Sequence, residues 1–322
     1  MSLAPALQVR VARKHTEALD ICSFELWPAD GQTLPPFSAG SHIDVHLPNG
    51  LTRQYSLCNA PHETHRYLIA VLNDAGSRGG SRAMHEQVHE GDVLGISAPK
   101  NHFALAHSAT HSVLLAGGIG ITPLLCMAEA LSATGASFEL HYCTRSRERS
   151  AFLARIAASA LAPQVHLHHD DGAAAQKLAP AAVLGAPREG VHLYVCGPKG
   201  YIDWVLGCAR ELGWPAAQLH CEFFSAEPVA SADDAAFEVQ LARSGCVVVV
   251  PREMSVTQAL AAAGVEIRTS CEQGICGTCL TRVLEGEPDH KDLYLTPEEQ
   301  AANDQFTPCC SRARSARLVL DL

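Results

Sequence analysis

The sequence predicts a multidomain chain made of an antiparallel β-barrel, an α/β domain built on a parallel sheet, and a small β-grasp domain. Three observations predict it. Short alternating apolar runs broken by Gly, Pro, Asn and Asp occupy the first part, and apolar runs alternating with helical patterns occupy the middle. After a small, acidic stretch, two strand-like runs, a helical pattern and a cysteine-bearing loop complete the chain. At 322 residues the chain exceeds one ordinary core and suits two or three domains, each with enough of the 47% apolar content to bury one.

The formal net charge of −10 and the absence of a basic run argue against nucleic acid or an anionic membrane as partner. No apolar stretch approaches a membrane span, and the N-terminal MSLAPALQVRVARK lacks the apolar core of a signal peptide. The expectation is a soluble, cytoplasmic protein.

Residues 1–106 carry the barrel pattern, seen in QVRVARK, HIDVHLPNG, QYSLCNA and YLIAVLND, with one helical pattern near Arg82 to Val88. Within it stands Arg53-Gln54-Tyr55-Ser56. Residues i and i+2 of a strand share a face, so Arg53 and Tyr55 set a fixed cation beside an aromatic plate. Such a pair suits a phosphorylated planar cofactor, although an ordinary cross-strand Arg–Tyr pair reads the same way. Arg78-Gly79-Gly80-Ser81 precedes the short helix. Glycines leading into a helix N-terminus expose unpaired N–H groups and make an anion site; a plain N-cap by Ser81 is the alternative.

Residues 107–226 change period. Apolar strands (SVLLAGG, FELHYCT, QVHLHHD, HLYVCG, QLHCEFF) alternate with helical patterns (TPLLCMAEALSAT, ERSAFLARIAASA, GYIDWVLGCAREL), as in a parallel sheet covered on both faces. Ligands of such sheets bind at the carboxyl ends of the strands. Three strand ends there carry signals: Gly117 to Pro123, Thr144-Arg145, and Cys196-Gly197-Pro198. Close glycines let a pyrophosphate approach the backbone, but this is not the G-x-G-x-x-G fingerprint. The run His166 to Asp171 reads as structural rather than metal-binding, because alternate strand residues face opposite sides and one loop rarely completes a site. Asp170 or Asp171 is placed to meet a ribose hydroxyl and so to favour NADH over NADPH.

Residues 227–236, within AEPVASADDAA, read as a tether. In 237–322, strands FEVQLARS and CVVVVPR, helix SVTQALAAAG and final strand ARLVLDL fit a β-grasp order. Between them Cys271, Cys276 and Cys279 form C-x4-C-x2-C, and Cys309 follows far downstream, the spacing of a plant-type [2Fe-2S] site. Gly274 and Gly277 let backbone N–H groups approach the sulfurs. A structural zinc site more often has paired short spacings, and only one arm here is short. Of the 13 cysteines, the nine outside this set, such as Cys22, Cys126 and Cys208, read as reduced core residues. Acidic Glu272, Glu285, Glu287, Asp289 and Asp292 read as a solvated face that can also orient a partner.

The run SCEQGICGTCLTRVLEGEPDH and the ending CCSRARSARLVLDL resemble the C-terminal ferredoxin domain of the phthalate dioxygenase reductase family, and the resemblance extends over the whole chain. Its C-x-S-R ending matches Cys309-Cys310-Ser311-Arg312, which implies Cys309 as fourth ligand; Cys310 departs from the small apolar residue usual there. The resemblance implies FMN held by Arg53, Tyr55 and Ser56, with Ala70 and Val71 edging the ring through backbone and Gly79, Gly80 and Ser81 taking the phosphate. It implies NADH with its pyrophosphate flanked by Gly118, Gly120 and Thr122, its adenosine near Thr144 and Arg145, and its nicotinamide pocket shaped by Cys196, Gly197 and Pro198. Ser56 and Phe224 would face the flavin.

The implied activity is a monomeric reductase component passing electrons from NADH to FMN to [2Fe-2S] and on to a Rieske-type non-haem iron oxygenase acting on an aromatic such as phthalate or a methoxylated benzoate. No acid–base triad is expected. Three alternatives stay open: an FAD reductase of similar architecture, a zinc-bearing nucleotide-binding regulator, and an electron carrier whose upstream domains are only structural.

Overall fold

A computed structural model of the chain describes residues 7–77, 79–224 and 234–322. They fall into two compact units divided after Phe224. Arg78 and most of the expected tether, 227–236, lie outside the described residues.

The first unit opens with β1 (Leu7–Ala18), β2 (Ile21–Pro28), β3 (Ser41–His46), β4 (Thr52–Ser56), β5 (Tyr67–Leu72), α1 (Gly80–Gln87), β6 (Val93–Ile96) and β7 (Lys100–Asn101). The strands pair antiparallel in the order β4-β3-β6-β1-β2-β5, with β7 on β3. Just beyond β4 the Cys58 N–H donates to the Leu68 carbonyl of β5 at 2.8 Å, so the two ends of the sheet meet. Alternation does the sorting. Val9 and Val11 of β1 and Tyr67, Ile69 and Val71 of β5 point into the barrel core, which α1 enters through Ala83 and Met84.

The same unit continues with β8 (His111–Gly117), α2 (Ile121–Thr134), β9 (Ser137–Thr144), α3 (Leu153–Ala157), β10 (Val165–His169), α4 (Pro180–Leu184), β11 (Val191–Gly197), α5 (Lys199–Glu211) and β12 (Leu219–Phe223). All five strands are parallel, in the order β10-β9-β8-β11-β12. One face packs on α2, and the other buries Val113, Leu115, Leu193 and Val195 against Ile202 and Val205 of α5. Residues from both sides of the expected boundary at 106/107 share a core: the outward residues Leu68 and Ala70 of β5 join Leu114, Tyr142 and Cys196 in one apolar cluster.

One expected helix is shortened. ERSAFLARIAASA yields a 3-10 turn, Arg147–Arg149, and then the short α3. Ser150 is drawn toward Thr144 by a 2.7 Å hydroxyl contact, the Ala151 N–H donates to the Tyr142 hydroxyl at 3.0 Å, and Phe152 takes φ +63°. Those tertiary bonds override the local helical preference.

The second unit contains β13 (Phe237–Leu241), β14 (Val247–Val250), α6 (Val256–Ala262), β15 (Thr281–Glu285), β16 (Pro288–Asp289), α7 (Pro297–Ala302), β17 (Gln305–Phe306), β18 (Arg312–Ala313) and β19 (Arg317–Leu320). Its main sheet runs β14-β13-β19-β15-β17, with β13 and β19 parallel and the β13–β14 hairpin antiparallel. Ser255 with Gln258 caps α6, and Thr296 with Glu299 caps α7, each as a reciprocal capping box. Among the described residues no helix is long and apolar enough to cross a membrane.

Candidate functional site

The sequence signals gather at three places, two in the first unit and one in the second. In the barrel, register pairs Val45 with Arg53 and Ile43 with Tyr55, so Arg53 and Tyr55 share one face of β4. Arg53 lies against the glycine turn: a Cβ built on Gly80 would meet the Arg53 Cγ and Nε at 2.7 Å. Residues 27 apart in sequence thus form one cradle, in which Gly80 must stay bare for the guanidinium to lie over the start of α1. Gly79 precedes it at φ +95°, a conformation that disfavours any side chain. The Ser77 hydroxyl accepts from the N–H groups of Gly79 and Ser81 at 3.2 and 3.3 Å. A cationic side chain, an aromatic ring and helix N-terminal amides around a bare glycine fit a phosphorylated planar cofactor. Burial pushes the Tyr55 phenol up, with Arg53 opposing it, so Tyr55 stays a neutral plate.

The neighbouring expected residues behave less uniformly. Ala70 and Val71 are buried in β5, paired with Ser23 and Cys22, and the Val71 carbonyl lies 2.9 Å from His85 Nε2. Ser56 is buried, and its hydroxyl donates to Glu222 Oε2 at 3.2 Å across 166 positions of sequence. Desolvation pushes the Glu222 carboxyl up to about 8 against that bond. Phe224, two residues on, packs against the shared core. Glu222 is the functional candidate that sequence reasoning passed over in favour of Phe224; only the end of β12 meeting the end of β4 exposes its partner.

At the carboxyl ends of the parallel strands, Gly120 approaches β11 so closely that its Cβ would stand 2.2 Å from the Cys196 carbonyl oxygen. Gly117 and Gly197 are likewise covered by the ring of Tyr201, whose carbon Cδ1 would lie 2.8 and 3.0 Å from their added Cβ atoms. The glycine turn and Cys196-Gly197-Pro198 are therefore one site, roofed by an aromatic residue of α5. Gly118 takes φ +53° and has open space above it. Two expected residues turn inward instead. Thr122 is buried and donates to the Ile119 carbonyl at 3.1 Å, and the Thr144 hydroxyl is held by Ser146, Ser150 and His169. Arg145, Asp170, Asp171 and Pro198 are exposed. The Asp170 and Asp171 N–H groups donate to the carbonyls of Thr144 and Arg145 at 3.0 and 3.2 Å. The Cys196 thiol is fully buried and driven well up by desolvation.

In the second unit, Cys271, Cys276, Cys279 and Cys309 are buried together. Side-chain contacts join Cys271 to Cys276 and Cys309, and Cys279 to Cys309, lowering Cys271 and Cys279 while raising Cys276 and Cys309, so the four sulfurs converge and share protons among themselves. Backbone N–H groups of Gln273 and Thr278 point at Cys271 and Cys276 sulfur at 3.4 and 3.5 Å. Gly274 and Gly277 take φ +69° and +66°; a Cβ on the first would meet Cys310 Sγ at 2.3 Å and on the second the Tyr294 ring at 2.2 Å. Converging thiolates in an amide-lined loop fit an iron–sulfur cluster. Cys310 Sγ lies beside Gly274 and in contact with Cys309, and it also meets the Thr307 hydroxyl at 3.3 Å.

The rest of C-x-S-R is structural. Ser311 is fully buried between Thr307 and Asp292, and the buried Arg312 donates to the carbonyls of Met254, Pro251 and Ala235. Two readings from sequence need correction. Asp292 is not part of a solvated acidic face: it is buried, and it caps the turn through the Leu295 N–H at 2.8 Å. Cys221 and Cys246 are exposed rather than core thiols.

The fold and these sites define an iron–sulfur oxidoreductase. Residues 239–314 match the 2Fe-2S iron-sulfur cluster binding domain, and residues 97–219 match the N-terminal domain of dimethylamine monooxygenase subunit DmmA-like proteins. The chain is 56% identical to the vanillate O-demethylase oxidoreductase of Pseudomonas putida, over 97% of this chain and 98% of that one. It is 53% identical to the enzyme of that name from a Pseudomonas sp., over 98% and 100% of the two chains. The solved structure of phthalate dioxygenase reductase, described as modular for electron transfer from pyridine nucleotides to [2Fe-2S], is 40% identical. It covers 98% of both chains with a TM-score of 0.78. The chain belongs to the phthalate dioxygenase reductase family.

Proposed function

We propose that this chain is the NADH-dependent reductase of an aromatic-ring oxygenase system, with FMN in the barrel and a [2Fe-2S] cluster on Cys271, Cys276, Cys279 and Cys309. The convergence of those four thiols, on a chain whose barrel builds the Arg53–Gly80 cradle, carries the reading. When bound, FMN supplies the exchange between a two-electron hydride donor and the one-electron cluster.

The chain's own residues bind and orient. Arg53 and the amides of Gly79, Gly80 and Ser81 hold phosphate, with the Ser77 hydroxyl giving up the Gly79 and Ser81 amides to it, and Tyr55 supports the ring. Gly118, Gly120 and Gly197 admit the dinucleotide to the backbone, with Arg145 at its adenosine end and Pro198 beside the nicotinamide. Phe224 covers the flavin face until the nicotinamide arrives. Ser56 and Glu222, whose carboxyl desolvation pushes up to about 8, share a hydrogen bond at the joined ends of β4 and β12.

The electron acceptor in this proposal is a Rieske-type oxygenase of the vanillate kind rather than the phthalate kind. Identity of 53–56% to vanillate O-demethylase oxidoreductases against 40% to phthalate dioxygenase reductase supports that choice. A monomer in the reducing cytoplasm completes the proposal.

Anaerobic titration with NADH, followed by acid release and chromatography of the flavin, tests it. Bleaching of both flavin and iron–sulfur bands with FMN released is expected; released FAD, or a cluster that NADH does not bleach, would overturn it. Turnover with purified vanillate and phthalate oxygenase components then decides the acceptor.

A further inference from the structure

A group of histidines lies on the parallel sheet away from its carboxyl-end glycines. Register pairs His141 of β9 with His166 of β10, and Glu139 sits two residues before His141 on the same face. The face is the one α5 covers over β8 and β11, here beyond the reach of that cover. One ligand atom from each of Glu139, His141 and His166 lies within 4.8 Å of the others.

The hydrogen bonds around His141 place a hydrogen on its Nδ1. His168 Nδ1 lies 3.1 Å from the Gln176 carbonyl, which can only accept, so that nitrogen carries hydrogen. In neutral His168 the other nitrogen, Nε2, is then an acceptor. It lies 3.0 Å from His141 Nδ1, which must donate to it. Neutral His141 is left with a bare lone pair on Nε2. That atom is buried, makes no aligned hydrogen bond, and lies 3.3 Å from Glu139 Oε2. A carboxylate and a buried imidazole nitrogen without an aligned partner face each other there. A second imidazole, His166, stacks on His141 with ring centroids 4.8 Å apart, so His166 has to rotate out of the stack to aim its lone pair at a shared cation. A carbonyl–His168–His141 chain is the outer-shell support that orients a metal-ligating imidazole.

We propose that Glu139, His141 and His166 form a binding site for a borderline divalent cation such as Zn²⁺. Two imidazoles and one carboxylate select Zn²⁺ over Mg²⁺, and a water takes the open position. Bonds of about 2.0–2.2 Å require the ligand atoms somewhat closer than they stand. His166 is exposed and Glu139 only half-buried, so side-chain rotation supplies the closure. The segment His166 to Asp171 cannot complete a site from one strand; β9 provides the missing ligands. The cation would clamp β9 to β10, the edge strand of the sheet.

Equilibrium dialysis of the full-length holoprotein against Zn²⁺ tests this, with bound metal counted by elemental analysis and the visible bands verifying an intact cluster. One Zn²⁺ beyond the cluster iron is expected, undisplaced by Mg²⁺. His166→Gln and Glu139→Gln, at positions outside the core, are each expected to weaken binding about tenfold or more. Absence of bound Zn²⁺ would overturn the site. Equal binding by wild type and both variants would also overturn it, and would assign the metal to thiols such as exposed Cys221 or Cys246.

Discussion

The cluster loop and the flavin–nucleotide unit build their sites in opposite ways. In the loop, three of the four sulfurs come from nine consecutive residues, and the chemistry resides in side chains. In the first unit, the cradle needs Arg53 and Gly80, the proposed dinucleotide edge needs Gly120 and Cys196, and the hydrogen-bonded pair at the strand ends needs Ser56 and Glu222. There the decisive feature is often the absence of a side chain. A side-chain site fails when its ligands are removed, whereas a backbone site fails when something is added.

The largest effect is expected where ligands are removed. Cys271→Ser, Cys276→Ser, Cys279→Ser or Cys309→Ser should abolish the visible iron–sulfur bands and, because binding is coupled to folding, loosen the second unit. Cys310→Ser should keep them if Cys309 is the fourth ligand, since a serine hydroxyl can keep the contact with Thr307. Iron analysis decides it: an iron-free Cys310→Ser with an iron-loaded Cys309→Ser would reverse the assignment.

Adding a methyl group to the first unit should act according to what it strikes. In Gly120→Ala the new Cβ meets backbone, the Cys196 carbonyl at 2.2 Å, and the sheet cannot yield cheaply. A loss of about 1–3 kcal/mol in unfolding free energy is expected, in the range of overpacked cores. In Gly80→Ala the obstacle is the flexible Arg53 side chain, so stability should change less and FMN retention more. Arg53→Ala should cost about 10- to 100-fold in FMN affinity, the equivalent of about 1.5–3 kcal/mol for one charged hydrogen bond. Flavin dissociation measured beside thermal melting separates the two classes; equal melting losses for Gly80→Ala and Gly120→Ala would erase the distinction.

This contrast also explains what was legible in the sequence. The cysteines stood out as a set because metal geometry constrains spacing directly, and β8 and β11 were readable because buried parallel strands are near-continuous apolar runs. Glu222 was not, since no local pattern marks a carboxylate whose partner lies 166 positions away. Asp292 misled for the same reason: an acid in a polar loop looks solvated until Leu295 and Ser311 close around it. Thr122 and Thr144 stood at the right strand ends, but hydroxyls satisfy nearby backbone and side-chain partners, and strand position says nothing about rotamer.

The Ser56–Glu222 pair gives a smaller, pH-dependent test. Glu222 is raised to about 8 in the fold, above its ordinary value near 4.5. Its protonated state therefore contributes stability that is fully present below about pH 4.5 and is lost as pH rises through about 8, because the unfolded chain releases the proton first. Wild-type unfolding free energy should fall across that window, and Glu222→Gln, which keeps an uncharged group beside Ser56, should flatten the fall. An unchanged slope in the variant would show that Glu222 does not titrate there.

The smallest effect concerns the aromatic roof over the strand ends. The Tyr201 hydroxyl donates to Cys143 Sγ at 3.3 Å, while its ring covers Gly117 and Gly197. Tyr201→Phe removes the bond and keeps the ring, so a loss of only about 0.5–1.5 kcal/mol is expected, with NADH affinity unaltered. Tyr201→Ala removes the ring as well and uncovers glycine backbone where the dinucleotide is proposed to lie. If the ring only packs, NADH affinity should track stability in both variants. If it is a roof that the nucleotide displaces, Tyr201→Ala should bind NADH more tightly while melting earlier, because bound nucleotide no longer competes with a side chain for the same glycines.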